Sequence, residues 1–158
     1  MAVRSEDLGK TGTLAYPSRI KLPYVWYAGK AGSRFYQELK DHCRIYGTRC
    51  PDCSRVYVPP RETCPRCYRL LDDWVEVGNT GTLLTFTVTR YAVAGIQPRQ
   101  IPFAIGIVKL DGASSGLVHL CGGADVSELR VGMRMQAVFR ERREGNYLDI
   151  EHFAPLRT

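Results

Sequence analysis

Residues 50–67 read Cys-Pro-Asp-Cys-Ser-Arg-Val-Tyr-Val-Pro-Pro-Arg-Glu-Thr-Cys-Pro-Arg-Cys, and this stretch decides the fold around it. It contains two Cys-x-x-Cys pairs separated by ten residues. Each pair can form a tight turn that directs two thiolates toward one ion, which is the arrangement of a tetrahedral zinc site. Proline at the second position of each pair fixes φ and favours that turn. We therefore predict a rubredoxin-like zinc ribbon over residues 48–75, in which the ligands to a structural Zn²⁺ are Cys50, Cys53, Cys64 and Cys67.

The four-sulfur ligand set leaves few other interpretations of these cysteines. Iron in the same four thiolates is chemically possible, which leaves a rubredoxin-like electron-transfer site as an alternative. Disulfide bonds are disfavoured in a chain whose first residues show no secretory signal, and we expect a cytoplasmic location. Because thiolates fill all four positions, no position remains for water, and we expect the metal to stabilise the fold without catalysing a reaction.

Upstream of the ribbon, the sequence predicts an extended arm and a single helix. Residues 1–32 contain scattered glycine and proline without sustained periodicity, which is typical of an arm. Residues 33–47 are predicted to be helical, with Ser33 as the N-cap and Gly47 as the C-terminal stop. One face of this helix is apolar, and its histidine and cysteine are expected to pack rather than to bind metal. The positions on that face are Phe35, Leu39, His42, Cys43 and Tyr46.

Large aromatic side chains cluster where the arm meets the helix. An arm too short to build a core of its own must bury them against the body of the protein or against another chain, and the sequence leaves both options open. The candidate partner contacts are Tyr24, Trp26, Tyr27, Phe35 and Tyr36.

Downstream of the ribbon, residues 76–158 predict five strands with glycine-containing turns between them. Residues 82–89 alternate apolar side chains with threonine, and residues 103–110 form an almost continuous apolar run. Five strands in about 80 residues, with a short helical element before the fourth, is the size and order of an OB-fold barrel. A small open sandwich is the alternative. The predicted fold class is therefore mainly β, with an N-terminal arm and helix, a rubredoxin-like zinc ribbon and a C-terminal OB-fold barrel.

Composition excludes several classes of protein. The chain has 158 residues, of which 44% are hydrophobic and 24% are charged, so it is neither intrinsically disordered nor long enough for a large multidomain enzyme. No apolar run approaches the roughly 18 residues that a membrane span needs. The net charge of +6 is spread along the chain without a basic tail. These features indicate an ordinary globular protein without a membrane-spanning segment.

No group of residues has the spacing of a catalytic site. His119 and Cys121 lie on one face of a predicted strand, but no carboxylate accompanies them at strand spacing. We expect a packed cysteine beside a hydrogen-bonded histidine. Asp72 and Asp73 are adjacent and point apart, which makes them a poor acid–base pair. We therefore do not expect this chain to be an enzyme.

The order of the motifs resembles a known family. A helix with Phe35-Tyr36 leads into Gly47-Thr-Arg-Cys-Pro-Asp-Cys53, Val58-Pro-Pro-Arg61 and Cys64-Pro-Arg-Cys67. Then follow Gly81-Thr82, Thr85-Phe86-Thr87, Pro102-Phe103, Val131-Gly-Met133 and Phe153-Ala-Pro155. The ordered set is similar to the zinc-ribbon plus OB-fold family that was long classed as a domain of unknown function. Its members accompany thiolases and other acyl-CoA enzymes. One departure is Ser54, because family ribbons usually carry glycine after the first knuckle, and a serine with positive φ there would carry some strain.

The resemblance implies a non-catalytic subunit that binds a thiolase-type or other acyl-CoA enzyme. In that role the chain would support acyl-CoA binding, assembly of the complex or transfer of an intermediate, with CoA or acyl-CoA at the partner interface. Loop arginines are the candidate contacts to CoA phosphates, because a guanidinium pairs well with phosphate. They are Arg99, Arg140, Arg142 and Arg143.

Nucleic-acid binding is a second class of function, since OB barrels and zinc ribbons both serve it. It requires exposed aromatic side chains interleaved with cations on the barrel. The predicted outward face of residues 82–89 carries threonine instead. We therefore expect a protein partner rather than a nucleic acid or a membrane.

Overall fold

The computed structural model describes residues 25–91 and 101–156. Within these ranges it contains one α-helix, eight strands and a short 3₁₀ turn at Tyr147–Asp149. No helix in this part of the chain is long and apolar enough to cross a membrane. The mainly β class expected from the sequence is confirmed.

A three-stranded antiparallel sheet forms the first lobe, which we call the ribbon. Its strands are β1 (Ile45–Arg49), β2 (Val56–Tyr57) and β3 (Asp73–Val77), in the order β2-β1-β3. Gly47 lies on the central strand where β2 comes closest, because a Cβ there would be 2.7 Å from the Tyr57 carbonyl oxygen. Because β1 begins at Ile45 and β3 ends at Val77, the ribbon sheet extends beyond the predicted range of 48–75 at both ends.

The helix, α1 (Gly29–His42), begins earlier than the sequence predicts. Ser33 is not its N-cap; that position belongs to Ala28, which has no capping side chain. The Glu62 carboxylate, which the ribbon brings to this point, accepts a hydrogen bond from the Lys30 backbone N–H at 3.1 Å. The expected cap was wrong because a residue distant in sequence satisfies the free N–H groups of the first turn.

α1 also ends earlier than predicted, at His42. Cys43 is the C-cap, with a left-handed φ of 53°, and its N–H donates to the Glu38 carbonyl. The next residues leave the helix because β1 pairs along its full length with β3, so that Tyr46 and Gly47 belong to a strand. His42 is exposed and Cys43 half-buried, so neither completes an apolar helix face as expected.

The second lobe is a closed five-stranded barrel. Its strands are β4 (Thr80–Thr89), β5 (Phe103–Leu110), β6 (Leu117–Cys121), β7 (Arg134–Phe139) and β8 (Ile150–Pro155). Their order around the barrel is β4-β5-β6-β8-β7, and β6 and β8 are the one parallel pair among the described strands. The OB-fold barrel is confirmed over the open sandwich.

One hydrophobic core joins the helix, the ribbon and the barrel. Phe35 and Leu39 of α1 belong to the same cluster of buried side chains as Ile45 of the ribbon and Phe153 of the barrel. The Arg34 guanidinium also lies 4.3 Å from the centre of the Trp74 ring and fastens α1 to the ribbon. The two lobes and the helix therefore hold fixed positions relative to one another.

Candidate metal centre

Four cysteine sulfurs come together at one end of the ribbon. The ligand atoms of Cys50, Cys53, Cys64 and Cys67 all lie within 4.8 Å of one another. Cys50 and Cys64 are fully buried, and Cys53 and Cys67 are half-buried. The structure thus brings together the four cysteines that the spacing singled out. Four sulfurs at these separations suit a tetrahedral thiolate site.

The two knuckles are copies of one another in sequence and in hydrogen bonding. The pattern Cys-Pro-x-Cys-x-Arg occurs at residue 50 and again 14 residues later, at residue 64. The Cys50 N–H donates to the Arg55 carbonyl at 2.9 Å, and the Cys64 N–H donates to the Arg69 carbonyl at 2.8 Å. This internal repeat, which the sequence analysis did not use, assigns to each residue of the first half an equivalent residue 14 positions later in the second half.

The residue that follows each knuckle has a positive φ. Ser54 has φ of 55° and Tyr68 has φ of 57°, and the N–H of each donates to the carbonyl of the first cysteine of its knuckle at 2.9 Å. Ser54 and Tyr68 therefore carry the strain expected of non-glycine residues in the left-handed region. The strain at Tyr68, after the second knuckle, was indicated by no local sequence pattern.

A tyrosine hydroxyl lies beside one of the buried sulfurs. Tyr57, on β2, is 7% exposed, and its hydroxyl oxygen is 3.4 Å from the Cys64 Sγ. The Cys67 N–H also points at that sulfur, at 3.4 Å. Burial opposes ionisation of Cys64, but these donors prevail and bring the pKa of the Cys64 thiol down to about 6. The contact with Cys64 raises the pKa of Tyr57 further above neutral, to about 12.

The donor set fits a doubly charged soft cation. Burial and the three neighbouring sulfurs raise the pKa of Cys67 to about 12, so the cluster by itself resists carrying four negative charges. A bound Zn²⁺ supplies the compensating charge and keeps all four thiolates deprotonated. The residues present therefore fit a closed zinc site with no position for a substrate.

The aromatic candidates for partner contact divide into buried and exposed groups. Phe35 is only 1% exposed and belongs to the core, so it is not available at the surface. Tyr36 is half-buried, whereas Trp26 and Tyr27 are exposed. Tyr24 lies outside the described residues. The structure therefore leaves Trp26, Tyr27 and Tyr36 at the surface.

A groove beside α1 joins these aromatic residues to the barrel. It has a volume of about 430 Å³ and is lined by Trp26, Tyr36, Tyr147 and Leu148, together with Ala28, Gly145 and Asn146. A smaller depression continues from Tyr147 and Leu148 onto the outer side of β5 and β6. We call the larger cavity the aromatic groove. Sequence reasoning missed Tyr147 and Leu148, because only the closed barrel brings the 3₁₀ turn next to α1.

The loop arginines make different contacts. The Arg143 Nε donates to the Lys40 carbonyl at 2.7 Å and its Nη1 donates to the Arg140 carbonyl at 2.8 Å, so this side chain ties a barrel loop to the end of α1. Arg142 is exposed and pairs with Glu144. Arg140 is half-buried. Arg99 lies outside the described residues.

His119 and Cys121 are part of the barrel interior. The His119 ring stacks on Tyr147 with centroids 4.9 Å apart, and its Nε2 lies 3.2 Å from the Tyr147 carbonyl oxygen. Burial raises the pKa of the Cys121 thiol to about 11, which makes it a poor nucleophile at neutral pH. Both residues have the packing role expected from the sequence.

Two family comparisons cover the ribbon and most of the barrel. Residues 38–70 match the family described as "ChsH2, rubredoxin-like zinc ribbon domain", and residues 74–140 match "ChsH2, C-terminal OB-fold domain". A DUF35 domain-containing scaffold protein of Methanocaldococcus jannaschii is 31% identical over 114 residues, which cover 70% of this chain and 78% of that protein.

Solved structures share the fold. The structure described as an Ltp2-ChsH2(DUF35) aldolase has a TM-score of 0.61 and 21% identity, over 85% of this chain and 98% of that one. A DUF35 family protein of unknown function from Sulfolobus solfataricus has a TM-score of 0.59 and 22% identity, over 80% of this chain and 84% of that one. Both likenesses support the arrangement of ribbon and barrel described above.

Proposed function

The chain belongs to the DUF35 family of zinc-ribbon and OB-fold proteins, and on that premise we propose that it is a non-catalytic subunit of an enzyme complex. The partner that we propose is an acyl-CoA-processing enzyme of the thiolase type. The chain would assemble with that enzyme in the cytoplasm, and its zinc ribbon would hold α1 and the arm in place for binding.

Two relatives support an accessory role. The Methanocaldococcus jannaschii relative is named a scaffold protein, which describes assembly rather than chemistry. The solved structure described as an Ltp2-ChsH2(DUF35) aldolase associates a DUF35 protein with an enzyme activity. The thiolase type of the partner comes from the resemblance of the sequence motifs to thiolase-associated proteins.

The aromatic groove is the observation that carries the proposal. Trp26 is 66% exposed and Leu148 is 44% exposed, and both line one cavity formed by the arm, α1 and the barrel. Aromatic side chains around a groove are typical of the energetic centre of a protein–protein interface. A partner segment in this groove would contact both lobes of the protein at once.

The outer face of the barrel favours a protein partner over a nucleic acid. On β4 and β5 the outward residues pair Thr85 with Ile107 and Thr87 with Ile105. Threonine and isoleucine provide neither the stacking rings nor the cations that single-stranded nucleic acid requires. This face therefore suits contact with another protein.

CoA binding is the finer part of the proposal. Arg142 is exposed and only weakly paired, so its guanidinium can turn toward a phosphate at the partner interface. Arg143 is less suited, since two backbone carbonyls already occupy its guanidinium. We propose that Arg142, with Arg140 beside it, contributes to a CoA site completed by the partner.

Co-purification tests the complex. The chain would be expressed with a thiolase-type enzyme from the same organism, and the dissociation constant would be measured with purified subunits. We expect Trp26→Ser and Leu148→Ser each to weaken binding by about tenfold or more, as removal of an interface anchor does.

Val131→Ser is the matched control, because Val131 is 64% exposed but lies outside the groove. It should leave the dissociation constant within about twofold, as is usual for a residue away from the interface centre. If the two proteins never associate, or if the isolated chain turns over an acyl-CoA thioester by itself, the proposed function is wrong.

A further inference from the structure

We propose that Tyr57 is a positioning residue for the metal, whose hydroxyl donates a hydrogen bond to the metal-bound Cys64 thiolate and strengthens metal retention. This inference rests on the four-cysteine metal site of the proposed function. It assigns a role to a side chain that is not itself a ligand.

The geometry places the Tyr57 hydroxyl within hydrogen-bond distance of the Cys64 sulfur, which can accept from it. Tyr57 packs in the small buried cluster that contains Cys50, Cys64 and Leu71, with its hydroxyl oxygen 3.4 Å from the Cys64 Sγ. A thiolate accepts hydrogen bonds, and a phenol hydroxyl that stays protonated can donate one. The contact is therefore a charge-assisted hydrogen bond whenever Cys64 carries a metal.

The internal repeat shows that packing alone does not require a tyrosine. Tyr57 follows Cys50 by seven residues, and the residue seven after Cys64 is Leu71. Both side chains are 7% exposed and both contact the buried cysteines. The backbone of the two halves also corresponds, because Arg49 pairs with Val56 and Thr63 pairs with Leu70. Leucine fills the equivalent space in the second half, so the hydroxyl is the chemical difference between the halves.

Burial explains why Cys64 benefits from an extra donor. Cys53 and Cys67 are half-buried, whereas Cys64 is fully buried. A buried thiolate must find its hydrogen bonds within the protein. The Cys67 N–H supplies one such donor and Tyr57 supplies another. Hydrogen bonds to a ligand atom fix its orientation and raise metal affinity.

Tyr57→Phe in the full chain tests the inference, because it removes the hydroxyl and keeps the ring. Affinity for Zn²⁺ would be measured by competition with a chromophoric chelator, and the far-UV circular dichroism spectrum of the zinc-loaded protein would check folding. We expect the affinity to fall by about 10- to 100-fold, the usual effect of losing a hydrogen bond to a ligand. Substitution with Co²⁺ gives a second measurement: the thiolate-to-cobalt absorption band should move to longer wavelength, since the unbonded sulfur gives up an electron more easily.

Tyr46→Phe is the matched control. Tyr46 lies on β1 of the same sheet, and its hydroxyl donates to the Glu76 carboxylate at 3.3 Å, away from the sulfurs. It should leave the Zn²⁺ affinity and the Co²⁺ spectrum unchanged. If Tyr57→Phe does not fold, Tyr57→Leu copies the residue of the second half and should show the same two shifts.

Three results would overturn the inference. In the first, Tyr57→Phe matches the wild type in both measurements. In the second, both phenylalanine variants lose affinity equally, which would mean a general loss of packing. In either case the proposed metal site would still be supported if the wild type binds Zn²⁺ tightly and a Cys64→Ser variant does not. A wild type that binds no metal would overturn both the site and the role of Tyr57.

Discussion

Asp149 is a buried carboxylate that organises the loop beside the aromatic groove. It is 1% exposed and accepts backbone N–H groups from Glu144 at 2.9 Å, Gly145 at 2.8 Å and Asn146 at 3.2 Å. These bonds satisfy a charge that would otherwise be costly to bury. The same loop carries Tyr147 and Leu148, so this single carboxylate fixes one wall of the groove.

Asp149→Asn should destabilise the protein by about 2–3 kcal/mol, because an amide nitrogen cannot accept the N–H groups that one carboxylate oxygen now accepts. Urea unfolding at pH 7 would measure the loss. Asp125→Asn is the control: Asp125 also accepts local bonds, from Ser127, but on an exposed turn. Asp125→Asn should lower the free energy of unfolding by less than about 1 kcal/mol. Equal costs for the two variants would contradict the assigned role of Asp149.

At the scale of elements, the start of α1 depends on the ribbon. The Thr48 hydroxyl donates to the Arg61 carbonyl and accepts from the Arg61 N–H, both at 2.9 Å. This contact holds the next residue, Glu62, against the first turn of α1, where its carboxylate accepts from Lys30 and faces the positive end of the helix. The arm leaves the body at the same point, so the ribbon controls where Trp26 is presented.

Glu62→Ala should lower the free energy of unfolding by about 1 kcal/mol, the usual effect of removing a helix cap. Glu62→Gln keeps an acceptor oxygen but not the charge, so it should lower the free energy of unfolding by less than Glu62→Ala does. Urea unfolding would rank the variants, and hydrogen exchange at the amides of Lys30 and Ala31 would locate the effect. Exchange that stays as slow as in the wild type would show that another group caps the helix.

At the scale of the whole molecule, the metal connects the ribbon to the surface that we propose for partner binding. The four sulfurs and the residues around them form a small core separate from the large one, which contains Phe35, Leu39 and the barrel interior. Loss of the metal therefore removes the support of the ribbon tip while the closed barrel keeps its own strand pairing. Glu62 lies between the two knuckles, so its contact with α1 should weaken as well.

Removal of zinc should unfold the ribbon selectively and weaken partner binding. Cys50→Ser, or treatment of the wild type with a strong chelator, should speed hydrogen exchange most across residues 50–71, which surround the four sulfurs, while residues 103–121 stay protected, because a structural zinc supplies much of the stability around it. Metal analysis of the untreated protein should find zinc, with no visible absorption band of iron. Cys43→Ser is the control, since Cys43 lies outside the cluster and should leave the zinc content unchanged.

Three results would contradict the predicted role of the metal in the ribbon. Uniform exchange across both lobes after chelation would mean that ribbon and barrel unfold as one unit. A native ribbon in metal-free Cys50→Ser would mean that the four sulfurs do not hold a structural ion. A visible iron spectrum in the purified protein would favour the electron-transfer alternative.

Local sequence patterns determined the metal ligands and the class of each lobe. Two Cys-x-x-Cys pairs close enough to share an ion leave little freedom of geometry. Alternation along residues 82–89 predicted strand β4, but a bulge between Leu83 and Thr85 leaves Leu84 46% exposed, so the pattern did not place that side chain. The boundaries of α1 were less predictable, because propensity and apolar spacing also allowed a helix through Tyr46. Pairing of β1 with β3 decided otherwise, and that pairing joins residues about 30 apart in sequence.

The sequence by itself therefore determined the ligand set, the ribbon and the strands of the second lobe, since each depends on residues close together in the chain. Closure of those strands into a barrel joins distant residues, such as Thr80 with Gln136. Only the tertiary structure decided what meets across long separations: Glu62 at the start of α1, Tyr57 at the Cys64 sulfur, and Tyr147 and Leu148 beside Trp26. These contacts follow from closure of the barrel and packing of α1 on a shared core, which depend on all the strands together and which no local pattern records.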